Sequence, residues 1–278
     1  MSTRRKINAL RPYSVVLAVA VCAPMGGLHA QEVAPMVTDR PDQTESSSTV
    51  QPGSIQIEGG WTFSETSDGL VTLEGHSIPQ LLLRIGAAPN VEIRLGFAGW
   101  QREEVSSQQL QSVSASGLGD LDVGFKYRFA QGGPDGFSAA VMGTITLPTG
   151  EQGFTSDRVD PALRISAEKD LSEKLGLGLN IGALLSTEED DLGLKDSEAD
   201  LLYTAVLGFS LTERIGAYVE SFGFVGVSGG RDDRHLLDGG FTFSFSTALQ
   251  LDVNGGFGLN AAADDWFVGA GISARFPR

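Results

Sequence analysis

The sequence predicts an all-β protein, a transmembrane antiparallel up-and-down β-barrel of about twelve strands preceded by a cleaved signal peptide. Three observations predict it. An export-type leader opens the chain. No later stretch offers the roughly 18 apolar residues of a membrane helix. Apolar residues then recur at every second position along most of the remainder, which is the signature of strands with one apolar and one polar face.

Composition sets the outer bounds. Glycine supplies 36 of the 278 residues and charged residues only 20%, while a hydrophobic content of 41% argues against disorder. A net charge of −15 disfavours a nucleic-acid partner, because phosphate binding rests on clustered Lys and Arg. The single cysteine, Cys22, excludes a disulfide framework and a Cys-rich metal site.

The leader comes first in the chain. Arg4, Arg5, Lys6 and Arg11 precede an apolar core from Tyr13 to Met25, and Leu28-His29-Ala30 puts a small residue at the expected cut. Residues 1–30 therefore read as a secretory signal peptide, its core too short to span a bilayer. Val21 before Cys22, in place of a small residue, disfavours a lipoprotein. Cleavage removes four of the 20 basic residues and none of the 35 acids, so the exported chain carries −19. Residues 31–53 follow, with Pro35, Pro41 and Pro52 and no strand period. They are expected to form a periplasmic tail or a plug inside the barrel, where Asp39, Arg40 and Asp42 would pair with lumen charges.

Residues 54–278 form the expected barrel. In VEIRLGFAGW, Val91, Ile93, Leu95 and Phe97 oppose Glu92 and Arg94. In DLDVGFKYRF, Leu121, Val123, Phe125, Tyr127 and Phe129 oppose Asp120, Asp122, Lys126 and Arg128. The same alternation runs through SIQIEGGWTF, LGLGLNIGAL, DGGFTFSFS, LQLDVNGGFGLN and WFVGAGISARF. Strands are expected near 54–65, 77–87, 91–101, 119–129, 136–147, 159–169, 174–186, 198–210, 214–225, 235–245, 249–260 and 265–276. An even count and lengths near ten residues suit an outer-membrane barrel.

The connections give an independent test. Those around Pro89, at Gln131–Asp135, Leu171–Glu173, Leu211–Glu213 and Ser246–Ala248 are short. The alternate ones, Thr66–His76, Arg102–Leu118, Pro148–Arg158, Thr187–Ser197 and Gly226–Arg234, are longer and polar. Short periplasmic turns alternating with long outer loops are a property of barrels with both termini in the periplasm. Any single strand would serve a soluble sandwich equally well, but together these features favour the membrane. Hydrocarbon offers no partner for backbone N–H and C=O groups, so strands can cross it only as a closed sheet. A mean hydropathy of −0.01 agrees, since half of each strand faces the lumen.

The lumen-facing parity gathers Glu58, Arg84, Glu92, Arg94, Asp120, Asp122, Lys126, Arg128, Arg164, Glu168, Glu220, Asp238, Asp252 and Arg275. Charges in a narrow barrel must pair or be hydrated. They form either a salt-bridged filling or a constriction that selects solutes by charge. About twelve strands enclose more than the eight that side chains can fill, and far less than a porin of sixteen. The clusters TEEDD at 187–191 and RDDRH at 231–235 are candidates for divalent cations shared with lipopolysaccharide, with solvated loop acidity the simpler reading. His76 and His235 alone survive leader cleavage, and neither stands beside a suitable nucleophile. No enzyme activity, cofactor or metal is expected, as no phosphate loop or metal-ligand spacing occurs.

The segments TDRPDQTES, QPGSIQIEGGWTF, LLRIG, VEIRLGF, GLGDLDVGFKYRF, LPTG, DPALRIS, SLTERIGAYVE, QLDVNGGFGLN and DDWFVGAGISARF resemble, as an ensemble from about residue 37 to 276, the outer-membrane family named for the MetA pathway of phenol degradation. The resemblance implies a barrel in the outer membrane of a Gram-negative cell that serves as a channel or transporter for small organic compounds, aromatic ones among them. Its partners would be outer-membrane lipid and lipopolysaccharide, the barrel-assembly machinery and the solute. The alternative is a closed structural or surface-interaction barrel. Outer-membrane barrels commonly end on an aromatic residue. Here Phe276 is followed by Pro277 and Arg278, which displaces that signal by two residues.

Overall fold

The computed structural model describes residues 35–107, 111–132, 136–189, 195–228 and 232–277. The leader, residues 31–34 and parts of the two acidic loop clusters lie outside these. The strands are β1 (Ile55–Ser67), β2 (Val71–Ala88), β3 (Val91–Phe97), β4 (Trp100–Ser107), β5 (Val113–Leu118), β6 (Leu121–Ala130), β7 (Phe137–Leu147), β8 (Asp160–Ser172), β9 (Leu175–Glu189), β10 (Lys195–Ser210), β11 (Ile215–Gly226), β12 (Arg234–Ser246), β13 (Leu249–Gly258) and β14 (Trp266–Phe276).

All pairings are antiparallel between near neighbours, and β1 pairs with β2 on one side and with β14 on the other. The seam runs from Ile55↔Phe276 to Glu65↔Trp266. The result is a closed circuit of 12 strands, β1-β2-β3 followed by β6 through β14. Closure satisfies the backbone without water, the condition for crossing hydrocarbon.

β4 and β5 stand outside this circuit. β2 pairs with β3 through Leu81–Ala88 and with β4 through Val71–Ile78. Pro79, which has no N–H to donate, sits where the partner changes. Opposite it, Gly99 adopts φ 91°, and a Cβ there would meet the Pro79 carbonyl oxygen at 2.5 Å, so only glycine fits. The neighbouring strand breaks at the same level. The Ala98 N–H donates to Asp120 O at 3.1 Å, and the Gly119 N–H to Gly99 O at 2.8 Å.

Two connections expected as loops are therefore largely strand. Thr66–His76 reduces to a turn at Asp68–Leu70, whose Asp68 Oδ1 accepts the N–H of Leu70 and of Val71 at 2.8 Å. Arg102–Leu118 forms the β4–β5 hairpin. Beyond the hydrocarbon neither strand face has to be apolar, so alternation of hydrophobicity cannot reveal these extensions.

The two parities separate as the alternation requires. Ile181 is 61% exposed and Phe129 54%, whereas Glu58, Arg84 and Lys126 are 0% exposed. Such an outward apolar band is stable only against lipid. Aromatic girdles flank it. Tyr127, Phe129, Phe137, Phe243, Phe245 and Phe276 lie toward the short-turn end, and Trp61, Phe63 and Trp266 toward the long-loop end, where Phe63 and Trp266 lie 5.1 Å apart.

Candidate functional site: the charged lumen and the N-terminal segment

Residues 35–53 run through the inside of the barrel and bond to strands all around it. Asp39 is the hub. Its carboxylate lies 2.8 Å from Lys126 Nζ of β6, 2.5 Å from Arg94 of β3 and 3.3 Å from Arg84 of β2. Burial by itself raises a carboxyl pKa, but Arg84, Lys126 and Arg94 together outweigh it and hold Asp39 well below the usual carboxylate range. Arg84 also donates to Glu92 at 2.8 Å and to Glu58 at 2.9 Å. Glu58 in turn accepts the backbone N–H of Asp39 and of Arg40, each at 3.0 Å.

Irregular backbone can lie at membrane depth only if protein satisfies it, and here lumen side chains do so. Glu92 accepts the Val50 N–H at 2.9 Å and Glu168 the Ser47 N–H at 2.9 Å, while the Ser47 hydroxyl also donates to Glu168. Asn180 bonds both the N–H and the C=O of Glu45, at 2.9 and 3.0 Å. Glu220 accepts the Gln43 N–H at 2.7 Å and the Thr44 hydroxyl at 2.5 Å. Arg164 lies 3.5 Å from Glu45 and donates to Gln43 O at 3.0 Å.

Arg40 reaches the opposite wall. Its Nη2 lies 3.2 Å from Asp252 Oδ1 of β13, and this single bond leaves Arg40 Nε and Asp252 Oδ2 without hydrogen-bond partners among the described residues. Two glycines make the slot. A Cβ at Gly60 of β1 would stand 2.3 Å from Arg40 Cζ, and one at Gly271 of β14 2.4 Å from its Nε.

Eleven of the fourteen lumen positions anticipated from charge face the segment or the cavities beside it, or bond to residues that do: Glu58, Arg84, Glu92, Arg94, Asp122, Lys126, Arg164, Glu168, Glu220, Asp238 and Asp252. Asp120, Arg128 and Arg275 hold connections instead. Asp120 accepts the N–H of Thr149, Gly150 and Ser156 at 2.7 to 2.9 Å. Arg128 donates to Asn90 Oδ1 at 3.0 Å, and Arg275 to Thr247 O at 2.9 Å. A search by charge passes over Gln56, Asn180 and Thr204, neutral residues on the same parity that bond the segment.

It also passes over an apolar shelf on the polar parity. Phe222 of β11, Leu236 of β12, Phe267 of β14 and Ala263 pack together, with Phe222 and Phe267 edge to face at 6.4 Å. Aromatic residues in lumen register, as in Glu220-Ser221-Phe222-Gly223-Phe224, are the sequence signal that reveals it. The shelf borders a cavity of about 660 Å³ on the long-loop side of the segment. A second cavity, of about 460 Å³, lies toward the short turns. Arg40, Pro41 and Asp42 line both. Burial, then the negative charge of Glu220, push the Asp42 carboxyl well above the usual range.

Solved structures share this architecture. The COG4313 outer membrane channel from Pseudomonas putida F1 superposes with a TM-score of 0.67 at 15% identity, over 85% of this chain and 99% of that one. The translocator domain of the autotransporter NalP from Neisseria meningitidis gives 0.55 at 11% identity, over 81% and 90%. The NanC porin gives 0.50 at 8%, over 79% and 98%. At these identities the likeness establishes the fold. A search among curated proteins returns no match. The closed circuit, the outward apolar band and these barrels place the protein in the outer membrane. The family described as "Putative MetA-pathway of phenol degradation" matches residues 38–276, and the chain belongs to that family.

Proposed function

We propose that the barrel is a channel for small organic compounds, aromatic ones included, with residues 35–53 as a plug that narrows the path. One observation carries this reading. Cavities lie on both sides of Arg40-Pro41-Asp42, and this stretch is held to β13 by the Arg40–Asp252 ion pair and a long hydrogen bond, 3.5 Å, from Asn254 Nδ2 to Pro41 O. The solute path runs between it and strands β11 to β13. The family membership supports the solute class, and the shelf of Phe222 and Phe267 offers aromatic rings a surface.

A non-enzymatic role is supported by the histidines. His76 accepts from Trp61 Nε1 at 3.3 Å, and His235 bonds the Tyr203 hydroxyl at 2.9 Å, so both rings are engaged by aromatic neighbours. Lipopolysaccharide and the assembly machinery belong to this reading as partners of the outward face and of the terminal strand. The pairing of Arg84 with Glu58 and Glu92, which joins β1, β2 and β3 within the lumen, favours a second reading, a barrel sealed by its own wall. Planar-bilayer conductance of the processed protein, with and without residues 31–53, separates the two, because a sealed barrel conducts in neither form. Liposome swelling with aromatic solutes against sugars of like size then tests the solute class.

A further inference from the structure

The lining of the cavity on the long-loop side carries five carboxyl groups, those of Asp39, Asp42, Glu45, Asp122 and Asp264, against three arginines. Its three arginines are engaged: Arg40 with Asp252 at 3.2 Å, Arg164 with Glu45 at 3.5 Å, and Arg234 with Asp200 at 3.7 Å and over the Phe224 ring at 4.8 Å. Asp42 has no cationic partner among the described residues and is faced by Glu220, Asp238 and Asp39. Asn254 Oδ1, in the cavity wall, is buried without a hydrogen bond. Asp238 is 5% exposed, and its Oδ1 is likewise unpartnered. It adjoins the shelf, since a Cβ at Gly256 would meet Asp238 Cβ at 2.5 Å and the Phe267 ring at 2.6 Å.

We infer that this cavity is a binding site for an organic monocation, an ammonium head carrying one ring or a short apolar body. The head faces the Asp42 carboxyl and the unpartnered Oδ1 of Asn254, and directs its N–H donors to them. The body rests on Phe222, Leu236 and Phe267. An ammonium beside these rings gains cation–π attraction as well. A volume of about 660 Å³ admits such a molecule with room for water. Anionic solutes meet a lining with more carboxyl groups than arginines and are disfavoured.

The inference rests on the channel reading but is tested by binding. The processed protein in detergent is titrated calorimetrically with benzylammonium, benzyl alcohol and benzoate at neutral pH. Benzylammonium is expected to bind about tenfold or more tighter than benzoate, the scale of one charge-assisted hydrogen bond. Asp42→Asn is expected to weaken benzylammonium by about tenfold and leave benzyl alcohol within about twofold, while Phe222→Ala weakens both. Benzoate binding as tightly as benzylammonium overturns the inference. So does an unchanged benzylammonium affinity in Asp42→Asn, or an equal loss of both probes there. Amine preference without bilayer conductance would leave the site standing and remove the channel, and conductance without amine preference would do the reverse.

Discussion

Replacing Asp39 by Asn removes one charge from a hub that neutralises three. The Asp39 side chain is 2% exposed, those of Arg84 and Lys126 1% and 0%, and that of Arg94 7%. Breaking a buried ion pair from one side costs about 3–5 kcal/mol, because the surviving charge is left in low dielectric. Glu58 and Glu92 still serve Arg84, so the loss falls on Lys126 and on the docking of residues 35–53. At about 1.4 kcal/mol per power of ten, the docked-to-undocked ratio falls by roughly two to three and a half powers of ten. Cys22 is the one cysteine of the sequence and residues 31–278 contain none, so a single Val50→Cys in a protein of those residues supplies a reporter. Val50 is 5% exposed and is held by its backbone N–H on Glu92. Thiol labelling of Val50→Cys should accelerate by that ratio in the Asp39→Asn background, with heat-modifiable gel mobility confirming an intact barrel. An unchanged labelling rate in a folded barrel would refute the hub.

Other perturbations follow from the same geometry. Asp39 is depressed, so its docking contribution is present above the ordinary carboxylate value of about 3.9 and lost as pH falls below it. Asp42 is raised, so its ionisation opposes docking increasingly as pH climbs past that same value. Conductance should therefore pass through a minimum at pH ~4, and Asp42→Asn should abolish only the high-pH limb; a monotonic profile would contradict both assignments. Gly60→Ala displaces the Arg40 guanidinium from its slot and Arg40→Gln loosens its ion pair by about 1–3 kcal/mol; both should raise bilayer conductance, and a fall in either would refute the path drawn past Arg40. Ile181→Arg on the lipid face should lower unfolding stability in liposomes by about 2–4 kcal/mol near the midplane, and no loss there would refute the outward assignment of β9. Gly99→Ala should cost about 1–3 kcal/mol through its left-handed backbone, measured by urea unfolding.

How much of this was legible before the structure depended on whether the physics is local. The strands that cross lipid were readable because each must keep one face apolar, and Leu121 to Phe129 or Leu249 to Leu259 show that rule within ten residues. The β4–β5 extension lies beyond the hydrocarbon, where Glu103, Glu104 and Ser114 can alternate with anything. The contacts of Asp39 were not readable in detail. Its three cations lie 45, 55 and 87 positions downstream, and only barrel closure brings them to one point. The same holds for the shelf, where Phe222 and Phe267 are far apart in sequence and are joined by β12 and β13.

The position of the hub along the chain bears on biogenesis. A nascent polypeptide that has delivered only its first half already holds Arg84, Arg94 and Lys126, every cation that Asp39 requires. The acceptors for Gln43 and Arg40, Glu220 and Asp252, arrive with the last strands. The wall can thus be laid around its own leading segment as a cooper bends staves around a form, and the β1–β14 seam can be the last to shut.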